Sequence, residues 1–392
     1  MKIPITKPFF GEEEATAIQQ PLESGWIVQG PKVAEFENRF AQFTGADHAI
    51  ATSSCTTALH LSLVAMGIGH GDEVILPSFT FVATANAVEY TGARPVFCDI
   101  DLNHYNIDVN EIEEKLTKRT KAIIPVHLFG LSADMKGILE IAEKHNLKVI
   151  EDAACGLGSF FGGKHVGTFG DAGCFSFHPR KAVTTGEGGM ITTRDRDLMV
   201  TLKSLRDHGA SKSDLIRDVD LGGSLLPEFN QLGYNYRLTD IQGALGAAQM
   251  KNASRIISAR IARAERYHQT LGKEEWFKVP ECPAGYIHSY QSYVGLLKRS
   301  KKSGKQEISL LNQKRNQMME RLGRKGIAVR QGTHAVHTLG YYRGKYHLKP
   351  EDCINSFIAE QLSITLPLYV QMTDEEQDFV LKELKSCAEL LA

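Results

Sequence analysis

Gly173-Cys-Phe-Ser-Phe-His-Pro-Arg-Lys-Ala-Val-Thr-Thr-Gly-Glu-Gly-Gly189 is the stretch on which the reading of this chain turns. Apolar and aromatic residues of strand character stop at Lys181, and a glycine-rich turn from Thr184 to Gly189 follows. A lysine just past a buried strand, with Ser176 close by, is placed to meet a phosphorylated carbonyl cofactor, where its amine condenses with an aldehyde to give a Schiff base. Most lysines are solvated ends of loops, so the assignment rests on the company Lys181 keeps.

Toward the N-terminus, short apolar runs at 73–77, 95–99, 122–126 and 148–152 alternate with helical patterns near 83–90, 109–116 and 135–144. Such alternation predicts an α/β fold with a mostly parallel central sheet flanked by helices. Sites in these folds lie beyond the carboxyl ends of the strands. The polar outliers fall there: Ser54, Cys55 and Thr56, the segment Phe79 to Phe81, His127, Asp152 to Cys155, and Ser176 to Lys181. The hydroxyl-rich Ser53-Ser54-Cys55-Thr56-Thr57 opens a helix ending near Gly67, where it serves as a plain N-cap or as a phosphate site. Asp152 ends an apolar strand, either as a helix N-cap or as the buried anion that keeps the ring nitrogen of a pyridine cofactor protonated.

Farther out, Phe36, Phe40 and Phe43 recur at helical spacing within 33–43 and read as core. Gly158-Ser-Phe-Phe-Gly-Gly-Lys164 begins like a phosphate loop but continues with His165 where a hydroxyl would ligate magnesium, so it reads as a hairpin or turn. A helix with Leu198, Leu202 and Leu205 on one face precedes a polar excursion at 209–227, and Thr239 is placed to cap a small-residue helix. After residue 250 longer charged helices and scattered strands predominate, giving a large cofactor-binding domain, 1–250, and a smaller C-terminal α+β domain, 251–392. The basic run 298–305 reads as a solvated loop, and His334 with His337 lacks a third metal ligand.

With 42% apolar and 23% charged residues and a formal net charge of -1, the 392-residue chain offers no basic field for nucleic acid or membrane, which favours a small-molecule substrate. No apolar run is long enough to span a bilayer, and the prolines in the first eight residues break any signal-peptide core. Seven cysteines without a CxxC pair read as reduced thiols of a cytoplasmic protein.

In order and spacing, Ser53–His60, Pro77-Ser-Phe-Thr-Phe81, Val126-His-Leu-Phe-Gly130, Glu151-Asp-Ala-Ala154, Phe175–Lys181, Thr185-Gly-Glu-Gly-Gly189 and Gly233-Tyr-Asn-Tyr-Arg237 resemble the DegT/DnrJ/EryC1/StrS family. Its members are sugar-nucleotide aminotransferases that use pyridoxal 5'-phosphate on the aspartate aminotransferase fold. The resemblance implies that Lys181 binds the cofactor covalently, Asp152 holds the pyridine nitrogen and Phe81 stacks on the ring. It assigns the phosphate to Ser54, Cys55, Thr56 and Ser176, with Asn235 arriving from the second subunit of a homodimer that shares its active sites. Tyr236, Arg237 and His334 are expected at the substrate, with 330–342 and 209–227 setting its identity. Position 55 is commonly Gly, so Cys55 is expected to add a side chain near the phosphate. Position 155 is commonly Gln or His, and Cys155 is a poor partner for the cofactor's phenolic oxygen. Relatives with histidine in place of the lysine are sugar dehydratases, which Lys181 argues against.

The implied reaction transfers an amino group from an amino acid, by resemblance L-glutamate, to a keto sugar on a nucleoside diphosphate, for amino-sugar and surface polysaccharide (lipopolysaccharide O-antigen) biosynthesis. A 4-keto-6-deoxy sugar is favoured over a 3-keto sugar. A regulatory paralogue that holds the cofactor without turnover is the competing class.

Overall fold

The computed structural model describes residues 2–211, 227–299 and 304–391. The central sheet has seven strands: β1 (His48–Thr52), β2 (Glu73–Pro77), β3 (Arg94–Cys98), β4 (Thr120–Ile123), β5 (Lys148–Asp152), β6 (Ala172–Ser176) and β7 (Gly189–Thr193). They lie in the order β1-β7-β6-β5-β4-β2-β3. β6, β5, β4, β2 and β3 run parallel, whereas β7 is antiparallel to both neighbours. The reversal follows from the connection: between Ser176 and Gly189 the chain forms no helix that would carry it back over the sheet, so it returns as a hairpin.

Both faces of the sheet are covered, which is why its strands are apolar runs. Val74 and Leu76 point to one face, against the helices Cys55–Ala65, Val82–Tyr90 and Arg196–Arg206; Ile75, between them, points to the other, toward Met135–His145. The helix Pro31–Thr44 buries Phe36 and Phe40 completely, with Phe36 4.8 Å from Phe177 and Phe40 4.9 Å from Phe175 between ring centres. Phe43 packs at the edge of that cluster, half-buried. Emptying either buried phenylalanine site costs about 3–5 kcal/mol.

The expected division at residue 250 falls inside a continuous helix, Asp240–Leu271, capped by Thr239 as its sequence predicts. Its first half, with Ala247 and Met250, packs on the Phe36–Phe40 cluster. Its second half, with Ala264, Tyr267 and Leu271, enters the core of the C-terminal unit. Two cores thus share one helix, and no linker separates them. That unit is a three-stranded antiparallel sheet, Phe277–Lys278, Tyr293–Leu297 and Ser363–Leu366, with helices Lys305–Arg324, Ile354–Leu362 and Asp374–Ser386. Ile3 belongs to it too, bridging to Ile327. One shorter correction concerns local structure, and one expectation is met. The helix predicted over 109–116 is one turn, Val109–Ile112, tightened into a 3-10 turn at Glu113–Lys115. The segment 158–164, read from sequence as a hairpin or turn, is a hairpin, Phe160–Phe161 against Lys164–His165, whose two corner glycines, Gly162 and Gly163, both have positive φ.

Candidate active site

β5 and β6 are parallel neighbours with Asp152 opposite Cys174, so Asp152 and, two residues farther along, Ser176 emerge at the same carboxyl edge of the sheet. Asp152 is buried, and both carboxylate oxygens are held: Thr84 Oγ1 donates to Oδ2 at 2.7 Å and the Ala154 amide to Oδ1 at 3.1 Å. Burial pushes its pKa above the ordinary carboxylate value, while Thr84, the Ala154 amide and Lys181 pull it back. No helix starts here, so the N-cap alternative falls. Lys181 closes a turn in which its amide donates to His178 O at 2.8 Å. Its half-buried side chain reaches the same corner, where Nζ donates to Cys155 Sγ at 3.2 Å.

The predicted phosphate cradle is the start of the helix Cys55–Ala65. Ser54 is its N-cap, accepting from the Thr57 amide at 3.1 Å. That leaves the Cys55 and Thr56 amides as the leading donors of the helix. A Cβ at Gly189 would lie 2.4 Å from Ser54 C and 2.7 Å from Cys55 N, so only glycine lets β7 approach this helix start. The expectation for Cys55 is corrected: its thiol turns away from the cradle and donates to Cys174 O at 3.5 Å, buried in the core, which raises its pKa well above the ordinary thiol value.

Phe81 precedes the helix Val82–Tyr90, 63% exposed. Thr84, which sequence reasoning missed, is one turn farther on, so the helix that presents this aromatic face also grips Asp152. His334 is brought to the same place by strand pairing, opposite Thr80, with Nδ1 3.4 Å from Glu360 Oε1. His337 is buried against Ser78 Oγ at 2.5 Å, and no group of three metal-binding side chains exists among the described residues.

Tyr236 and Arg237 are engaged within the chain. Tyr236 stacks on Tyr234 and its hydroxyl meets His60 Nδ1 at 3.1 Å, while Arg237 pairs with Asp207. The Ser53 amide donates to Tyr236 O at 2.9 Å, so the loop bearing the exposed Asn235 lies against the cradle of its own chain. Residues 212–226 of the expected specificity loop lie outside the described residues.

Behind the site, Glu151 is fully buried. It accepts from His127 Nε2 at 2.8 Å and from the amides of Gly167, Phe169 and Gly170 at 2.6–2.8 Å. Burial by itself would raise its pKa; the bond and charge of His127 and the backbone donors outweigh burial and lower it. His127 in turn donates its amide to Asp152 O at 3.0 Å. The pair was legible only as a motif; its role as the anchor of 167–170 needed the contacts.

A buried carboxylate beside a lysine, an exposed aromatic face and a glycine-backed helix start fit a phosphorylated pyridine aldehyde. Comparison with known proteins agrees. A GDP-perosamine synthase of Caulobacter vibrioides is 37% identical over 385 residues, covering 98% of this chain and 97% of that protein. The solved structure of Helicobacter pylori PseC, an aminotransferase of pseudaminic acid biosynthesis, matches with TM-score 0.90 and 27% identity over 99% of this chain and all of that one. Spr1654 of Streptococcus pneumoniae, in its PLP form, matches with TM-score 0.90 and 26% identity over the whole of both chains. Fold and site define a pyridoxal phosphate-dependent aminotransferase of sugars. The chain belongs to the DegT/DnrJ/EryC1/StrS aminotransferase family, whose profile matches residues 8–385.

Proposed function

We propose that this enzyme moves an amino group from L-glutamate to a 4-keto-6-deoxy sugar carried on a nucleoside diphosphate, in the cytoplasm, for surface polysaccharide synthesis. The observation that carries the reading is the meeting of Lys181 with buried Asp152 at the adjacent ends of β5 and β6. A GDP-perosamine synthase among the relatives supports a nucleotide-linked acceptor. Seven free cysteines support a reducing compartment.

Bound pyridoxal phosphate supplies the aldehyde that joins the amine and the ring that takes up the electron pair. Asp152 holds the proton on the ring nitrogen, and its own buried carboxylate is kept charged for that purpose by Thr84 and the Ala154 amide. The Cys55 and Thr56 amides and the Ser176 hydroxyl anchor the phosphate, and Phe81 covers one face of the ring. Lys181, once free, takes the proton from the donor's α carbon and returns one in the second half-reaction, acting as nucleophile first and general base second. Tyr236, Arg237 and His334 face the sugar nucleotide.

The enzyme is read as a homodimer in which Asn235 serves the partner's phosphate; exposed Phe229 and Leu232 just before it support a covered face there. A second reading, in which Asn235 serves its own chain, is favoured by the Ser53–Tyr236 bond. Mixing Lys181→Ala with Asn235→Ala chains separates them, because activity returns in the mixture only when the site is shared.

The first test is the absorption spectrum with pyridoxal phosphate before and after L-glutamate. A visible band that glutamate bleaches, and cofactor fixed by borohydride in wild type but not in Lys181→Ala, is expected. A spectrum unmoved by glutamate sinks the donor reading. A panel of nucleotide keto sugars then identifies the acceptor.

A further inference from the structure

We propose that Cys155 is an oxidative modification site at which hydrogen peroxide closes a sulfur–nitrogen bond to Lys181 and so withholds the amine from pyridoxal phosphate; the consequence for the cofactor rests on the assignment of Lys181 above.

Lys181 Nζ lies 3.2 Å from Cys155 Sγ, a contact between side chains 26 residues apart in the chain. Cys155 is a free, half-buried cysteine. It borders a cavity of about 10 Å³ shared with Lys181 and Ser176, so a small oxidant has a way to the sulfur.

Positive charge converges on the same atom. Arg260 and Arg330 both interact electrostatically with the Cys155 sulfur, and Lys181 adds a third cationic side chain in direct contact. Arg260 is buried and donates to the backbone oxygens of Tyr290 and Gln291, which cancel none of its charge. Asp152, the carboxylate of this corner, is turned to Thr84 and the Ala154 amide. A partly exposed cysteine among cations is the setting in which a thiol meets peroxide productively. The other six cysteines stand differently: burial raises the thiol pKa of Cys55, Cys98, Cys174, Cys282, Cys353 and Cys387, which favours the unreactive protonated form.

Peroxide oxidises the Cys155 thiol to a sulfenic acid and is itself reduced to water. Two other partners for that sulfur are already engaged. The Gly156 amide, the neighbouring backbone nitrogen, is tied to Ala153 O at 2.8 Å, and the Cys55 thiol is buried and turned to Cys174 O. The Lys181 amine is in contact, and its flexible stem closes the remaining gap. Its electron pair attacks the sulfur, the S–O bond breaks, and hydroxide leaves with an amine proton as a second water. Cysteine and lysine have then each given up one hydrogen. A thiol reductant reverses the bond: one thiol attacks the sulfur and frees the amine, and a second displaces the first from Cys155 and leaves with it as a disulfide.

The test treats the full chain with hydrogen peroxide, both cofactor-free and loaded with pyridoxal phosphate, then alkylates the remaining thiols and maps peptides by mass spectrometry. In the cofactor-free chain the expected product joins the peptide of Cys155 to that of Lys181, with one hydrogen lost from each, and dithiothreitol undoes it. In the loaded chain it is expected to be absent, because the amine is taken. Cofactor loading, followed by absorbance, should be lost after peroxide in wild type and return with dithiothreitol, whereas in Cys155→Ser it should be the same before and after peroxide. The wild-type map decides even where the serine variant binds no cofactor. Oxidation of Cys155 to a sulfinic acid without a bridge overturns the proposal. So does a disulfide between Cys155 and Cys55, or modification confined to Cys282. If the bridge forms and pyridoxal phosphate still binds in full, the modification site stands and the assignment of Lys181 to the cofactor falls.

Discussion

The Thr84 hydroxyl donates to Asp152 across 2.7 Å, and Thr80 lies 3.0 Å behind it as donor to Thr84, so a chain of two hydroxyls runs from the Phe81 strap to the floor of the site. Thr84→Val keeps the shape and removes the donor from a carboxylate whose burial already favours the neutral form. Pyridoxal phosphate affinity, followed by fluorescence titration, should fall about tenfold, in keeping with a bond to a charged group. Thr84→Ser should restore it; a Val variant that binds as wild type would show that Asp152 needs no such support.

Gly189 predicts a different failure. Its added Cβ would press on backbone, Ser54 C at 2.4 Å and Cys55 N at 2.7 Å, neither of which can swing aside. Gly189→Ala should lower stability by about 1–3 kcal/mol and displace the helix start, so that cofactor affinity drops while the borohydride-reactive Lys181 remains. Unchanged thermal midpoint and unchanged affinity together would mean that the cradle is looser than its geometry implies.

Glu151→Gln turns an acceptor surrounded by the His127 ring and the Gly167, Phe169 and Gly170 amides into a group with donors of its own. The buried cluster should lose about 3 kcal/mol or more, read as a lower urea midpoint with an unchanged slope. Amide exchange at 167–170 should rise first, because those amides lose their partner.

Acid should destabilise the fold through its buried histidines. Burial pushes the pKa of His165 down to about 4, and its ring is held neutral, with Nε2 accepting from the Gly158 amide at 2.9 Å and Nδ1 facing Val166 O at 2.5 Å. His288 is pushed down to about 3. The unfolded chain therefore binds more protons than the folded one below an ordinary histidine pKa of about 6.5. Stability from His165 is complete above that pH and is lost as pH falls toward 4, by up to about 3 kcal/mol. Urea midpoints measured between pH 7 and 4 should fall across that window, and a flat profile would contradict it.

What the sequence by itself determined is what depends on local pattern and on residue identity. The apolar runs at 73–77 and 148–152 had to be buried strands, because such runs are stable only when covered on both faces. Thr239 was legible as a cap, and His165 excluded a magnesium-binding phosphate loop, because single residue types decide those questions. Lys181 and Asp152 could be named because each is chemically out of place at the end of an apolar strand. Only the tertiary structure decided what depends on long-range contact. Thr84 reaches Asp152 from 68 residues away, Arg330 of the C-terminal unit lines one cavity with Arg180, and Cys55 turns its thiol inward toward Cys174. The helix through residue 250 bound two cores that composition had separated. Periodicity records which face of an element is buried and leaves open which other element covers it; that choice is made only when distant segments pack together.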